Sequence, residues 1–280
     1  GFANVSLKEN KDLIFRVFLE IGNNKKINAV DVQTSIMLKK NNSLIDNDFR
    51  KNAHFAEQFL NILKSKYNLS SILKTMRDLG LLQKYIPEFS SVVGQMQFDL
   101  FHIYTVDEHT FKVVRNMRQM KIFKQKGFEL EHELINKLPK IELLFIAGLF
   151  HDLGKGKGGD HSKIGSEACY KFSRRLGLSQ VDSNLTSWLV EKHLEMSSVS
   201  QKKDISDQQT IKDFAETVMH SERLDYLYLL TVNDIRATNP SLWNGWKHQL
   251  LKELYSKTRL KLNKEPIQTS NEISIERKRH

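Results

Sequence analysis

Apolar residues recur at helical spacing along most of the chain, while period-two alternation with β-branched enrichment is scarce, so the pattern predicts an all-α fold. Leu13, Ile14, Val17, Phe18 and Ile21 mark a first helix over 12–22, with Gly22 just past its last apolar turn. Further helices are expected over about 30–39, 46–64 and 71–79, the last meeting Gly80 at a C′ position. Pro87 then interrupts the pattern, because the residue before a proline disfavours helical backbone. The expected organisation is a helical connector or support over 1–88, a domain holding the unusual polar residues over 89–262, and a mobile basic tail over 263–280, which lacks a periodic apolar face. No repeat of domain-building length is visible.

Two segments are apolar enough to be buried helices. The first, Ile141 to Phe150, ends abruptly in His151-Asp152, so two metal-capable side chains leave a core helix at one point. The second runs from Arg223 to Thr238 and contains Asp225 and Asp234. Nine residues apart, these acids fall on opposite faces, so at most one serves a shared site; the other reads as a cap or a salt bridge to Arg223 or Arg236. A further helix over 98–117 would carry His102 and His109 on one face. His161 follows a glycine-rich loop, and His193 sits late in a helix anchored by Trp188, Leu189 and Val190. Each histidine alone is more often structural than functional.

Composition narrows the classes. The net charge is +10, which suggests nucleic acid, yet the segment from Ser256 to His280 holds seven Lys or Arg against three acids and the rest is diffuse. A solvated basic surface suited to an acidic protein or a phosphorylated substrate is the better reading, with no nucleic-acid partner. The longest apolar run, Leu143 to Phe150, is far below the roughly 20 residues of a bilayer span, and no secretory signal is visible, so no membrane partner is expected. The single cysteine, Cys169, excludes thiolate zinc modules and fits a reducing cytoplasm.

Taken together, the histidines and aspartates form a set of nitrogen and oxygen donors with a carboxylate able to bridge. Such a set suits one or two octahedral, moderately hard cations such as Mg2+, Mn2+ or Fe2+. The order His109, then His151-Asp152, then Asp234 resembles the HD metal-dependent phosphohydrolase superfamily. By that resemblance, His161 and His193 stand where members holding a second metal or a phosphate carry extra histidines. The loop over 154–159 matches G-x-G-x-x-G formally, but no strand precedes it and no Ser or Thr follows a Gly-Lys pair, so it is neither a dinucleotide fingerprint nor a P-loop. It is either an ordinary solvated loop or a cationic one in which Lys155 neutralises a phosphate or assists a leaving group.

Longer stretches are similar to a narrower family. The runs 93–102 (Val-Gly-Gln-Met-Gln-Phe-Asp-Leu-Phe-His), 104–110, 158–162, 202–207 and 223–240 resemble the central region of the bacterial PII uridylyltransferase/uridylyl-removing enzymes. The resemblance implies a helical connector plus an HD domain from a nitrogen-regulation enzyme, without the transferase signature or the C-terminal ACT domains. It further implies hydrolysis of the phosphodiester joining UMP to a tyrosine of PII, with uridylylated PII as partner and UMP as product. Cations held by His109, His151, Asp152 and Asp234, with a second site at His161 and His193, would activate water at phosphorus. The leaving phenolate, with an ordinary pKa of about 10, needs little protonation, for which Lys155 or His102 is the candidate. Lys157, Lys202 and Lys203 are expected near the mouth as contacts to UMP or PII. Competing readings are an HD hydrolase of a free nucleotide or cyclic dinucleotide, and a non-catalytic helical module.

Overall fold

A computed structural model of the chain describes residues 6–96, 104–238 and 243–264. Among the described residues the fold is all-α, with no strand. The chain up to Pro87 contributes α1 (Leu13–Asn23), α2 (Val32–Lys40), α3 (Asn47–Lys51), α4 (Ala53–Leu63), α5 (Leu69–Asp78) and α6 (Leu81–Tyr85). After a 3-10 turn at Pro87–Ser91 come α7 (Val106–Ile122), α8 (Glu129–Lys137), α9 (Ile141–Phe150), α10 (His161–Arg175) and α11 (Gln180–Glu191). The last four are α12 (Glu195–Lys202), α13 (Gln208–Val218), α14 (Ser221–Thr238) and α15 (Gly245–Lys264).

The helix α9 is apolar all round and buried from Glu142 to Phe150, as expected of a helix surrounded by others. Its neighbours are α7, α10, α11 and α14, with α4 reaching it from the N-terminal side of Pro87. The His-Asp pair therefore emerges from the middle of the bundle, where α7 and α14 deliver their own polar residues. One hydrophobic cluster runs from Leu7 to Leu262 and crosses Pro87 without a break. Aromatic rings carry it across: Phe59 and Tyr85 lie 5.8 Å and 6.2 Å from Phe172 of α10. Arg175 covers the Tyr85 ring and donates to the Tyr85 and Arg50 carbonyls.

The helices depart from the sequence pattern at three places. The expected helix over 46–64 is two helices, because Asn52 is extended (φ −75°, ψ 124°) and its side chain accepts from the His54 N–H, starting α4 afresh. The break lets Phe49 and Phe55 stack with ring centroids 3.7 Å apart. The helix expected over 98–117 begins only at Val106, after Thr105 in extended conformation. Its first turn is held there because the Asp107 carboxylate accepts from Arg77 and from the Gly94 N–H. Finally, α15 continues to Lys264 with Leu262 buried, and residues 265–280 of the expected tail lie outside the described residues. Gly80 is left-handed (φ 75°) just past α5, as a C′ glycine should be.

A buried polar cluster ties α8, α14 and α15 together. Glu131 is fully buried, accepts from the Tyr228 hydroxyl, and lies 2.6 Å from His248 Nε2. Burial alone would raise the Glu131 carboxyl, but His248 and Tyr228 hold it below its ordinary value. Replacing His248 with alanine should destabilise the fold by about 1–3 kcal/mol, read from denaturant unfolding, because it strips a buried carboxylate of a partner.

Candidate metal centre

Three elements converge on one point. α7 supplies His109, the end of α9 supplies His151 and Asp152, and α14 supplies Asp234. His109 Nε2 lies 3.1 Å from His151 Nε2 and 3.0 Å from Asp234 Oδ1, and His151 Nε2 lies 3.6 Å from the same carboxylate oxygen. Asp152 Oδ2 completes the group at 3.3 Å from His151 Nε2 and 3.6 Å from His109 Nε2. Donors held about 2.1 Å from a common ion at right angles are about 3 Å apart, so these spacings are those of a ligand set.

A second group shares the same aspartate. Asp152, His161 and His193 each bring a donor atom within 4.8 Å of the others, with Asp152 Oδ1 3.9 Å from His193 Nε2. The two oxygens of Asp152 thus face the two groups separately, the disposition of a bridging carboxylate. His193 lies two residues past the end of α11 and His161 is the first residue of α10. The α10 start is fixed by Asp160, whose side chain accepts from the Ser162 and Lys163 N–H groups.

The tautomers favour cation binding. His151 Nδ1 is 2.8 Å from the Gly148 carbonyl and His193 Nδ1 is 2.7 Å from the Val190 carbonyl, so both rings donate backwards and present Nε2 to the centre. His161 Nε2 is buried with no hydrogen-bond partner. Charge is arranged accordingly. Burial opposes a charge on His151, but Asp152 and Asp234 overcome it and push its pKa up to about 10. The same burial works against the two carboxylates, yet His151 with Lys155 holds Asp152, and His109 with His151 holds Asp234, well below the usual range. Burial and the neighbouring His151 push His193 down to about 4. A pocket that keeps two anionic carboxylates and draws positive charge onto an imidazole is complementary to a divalent cation.

Lys155 closes one side, its ammonium 2.7 Å from Asp152 Oδ2 and its side chain only 15% exposed. Residues 156–160 of the same loop are exposed, so Lys155 is the loop's one lysine turned onto the centre. The loop is pinned by close approach: a Cβ on Gly154 would lie 2.1 Å from the His161 carbonyl oxygen. Gly154→Ala should therefore push the start of α10 away from Asp152, weakening occupancy of the second group while the first persists. Metal titration followed by calorimetry would show two classes of site becoming one.

Other expected residues are placed differently. Lys157 is exposed within the loop. Lys202 ends α12 and Lys203 follows it; both are exposed, roughly 10 Å of helix beyond Glu195. His102 lies outside the described residues. Asp225 faces away from the centre and accepts from the Tyr255 hydroxyl and Arg259, so it is the acid held in a salt bridge, with Arg259 in place of the Arg223 or Arg236 expected. Two contributors escaped the pattern. Gln95 packs against Gly156, and Arg77 pairs with both Asp107 and Glu108 beside His109.

This constellation on packed helices defines an HD domain, and residues 106–227 match the HD domain family model; such a domain binds divalent metal. Residues 4–85 match the model described as the uridylyltransferase GlnD third domain. The chain is 46% identical over 252 residues to the bifunctional uridylyltransferase/uridylyl-removing enzyme of Ectopseudomonas mendocina (strain ymp), covering 90% of this chain and 28% of that one. The enzymes of the same name from Azotobacter vinelandii (strain DJ / ATCC BAA-1303) and Stutzerimonas stutzeri (strain A1501) are 44% and 43% identical, over 90% and 94% of this chain. The chain spans 28–30% of the length of these relatives. The resemblance carried by the sequence motifs is thus borne out. Among the described residues no helix is long and apolar enough to cross a membrane.

Proposed function

We propose that this chain is a divalent-metal phosphodiesterase that removes UMP from a uridylylated tyrosine of PII. The observation that carries the reading is the Asp152 carboxylate set between two histidine groups, with Lys155 against it. A cation held there, Mg2+ or Mn2+ by the oxygen-and-imidazole donor set, supplies electrophilic activation of water and of the phosphoryl oxygens. His109, His151, Asp152 and Asp234 hold the first position, and His161 and His193, with the other oxygen of Asp152, the second. Lys155 offsets negative charge next to the reacting phosphate. The phenolate leaving group has an ordinary pKa of about 10, so an ammonium such as Lys155 suffices to assist its departure, with His102 as the other candidate. Lys157, Lys202 and Lys203 supply a basic surface for the phosphorylated partner. The names of the relatives support the substrate class, and the lone, buried Cys169 suits a cytoplasmic setting.

The test is UMP release from uridylylated PII by the purified chain. Turnover lost with EDTA and restored by Mn2+ or Mg2+ is the expected result. Equal turnover of small free phosphodiesters would indicate a nucleotide hydrolase instead, and a folded, metal-free, inactive protein would indicate a regulatory module.

A further inference from the structure

On a different side of α7 from the metal centre, the N-terminal half of α5 and residues 111–119 of α7 enclose a cleft of about 500 Å3. Small-ligand pockets fall at about 300–1,000 Å3. Ser70, Ser71 and Lys74 line it from α5, and Lys112, Arg115 and Arg118 from α7, with no Asp or Glu among the lining residues. Four cations facing one concavity repel one another, and a cleft that focuses a single sign of charge attracts a counter-ion.

Internal partners offset only part of that charge. Lys74 Nζ is 2.7 Å from Glu108, and Lys112 sits 3.3 Å over the Tyr104 ring. Arg118 donates to the Lys66 carbonyl, but its Nε is buried with no hydrogen-bond partner. Arg115 is exposed and has no ion pair among the described residues. Two guanidinium forks, two hydroxyls and the α5 N-terminus together match phosphate better than a single carboxylate, since forks and helix N–H groups bind several oxygens at once. Arg115 lies about 120° around α7 from His109, so the cleft and the metal centre use separate faces of one helix.

We infer that this cleft binds a small, multiply charged phosphate compound of nucleotide size, at a site separate from the metal centre. Lys74 lines the cleft and also holds Glu108, the residue before His109. A bound phosphate that engages Lys74 competes with Glu108 for it, so occupancy is transmitted to the first turn of α7.

Isothermal titration of the metal-free protein with pyrophosphate, and separately with ADP, tests this without reading turnover, so it succeeds or fails independently of the proposed hydrolysis. Saturable binding of one equivalent is expected, weakened about tenfold or more by Arg115→Glu and by raising ionic strength from about 0.05 to 0.3 M, and retained in His151→Ala. Tighter binding of ADP than of pyrophosphate identifies a nucleotide, and equal binding a bare diphosphate. The inference is overturned by no saturable binding up to about 1 mM ligand, or by binding that Arg115→Glu leaves unchanged or that His151→Ala abolishes. Arg115 is exposed, so its substitution leaves the fold intact, checked by circular dichroism.

Discussion

Replacing Asp152 with asparagine should abolish hydrolysis, lowering the rate on the order of 1,000-fold or more while the fold persists. The size follows from the number of tasks on one side chain. One oxygen faces His109 and His151, the other faces His193, and Lys155 rests on the first. An amide keeps the shape but supplies one carbonyl oxygen and no charge, so both candidate cation positions lose an anionic donor together. Removing His161 or His193 touches only the second group and should have a smaller effect. Steady-state UMP release with metal analysis on the same preparations checks this order. Equal losses in Asp152→Asn and His161→Ala would contradict the bridging role.

Arg77→Met should cost about 3–5 kcal/mol of stability, because it leaves the buried Asp107 carboxylate without its cation. For a protein of this size the loss corresponds to a fall in melting temperature on the order of 10 °C. Arg77 also bonds Glu108, so the substitution loosens the first turn of the helix that holds His109, and metal affinity should fall with stability. Pairing it with Asp107→Leu removes the stranded charge and should recover part of the loss, the coupling expected of groups in contact. Calorimetric melting of both variants, with and without Mn2+, measures the two effects; an unchanged melting temperature in Arg77→Met would show the pair to be incidental.

Much of this was legible from residues in order. Helical periodicity predicted the class, and the apolar run ending in His151-Asp152 marked the centre because an ionisable pair at the end of a buried helix needs a partner. The half-turn offset of Asp225 and Asp234 decided that one acid alone faces inward, and Asp234 is that one. What stayed hidden depends on side-chain contacts that apolar spacing does not report. Asn52 breaks a continuous apolar pattern through its own side chain, a competition that periodicity does not record. The start of α7 was legible in principle, since Thr105-Val106-Asp107-Glu108 has the spacing of a helix-start signal, but Arg77 lies 30 residues upstream of Asp107. The approach of Gly154 to His161, which brings the second histidine group onto Asp152, also appears only in three dimensions.

Anomalous diffraction from a Mn2+-soaked crystal tests the central claim most directly. The expected result is a peak bonded to His109, His151, Asp152 and Asp234, with a second, weaker peak toward His161 and His193. Manganese bound elsewhere, with these side chains in their present positions and no peak among them, would contradict it.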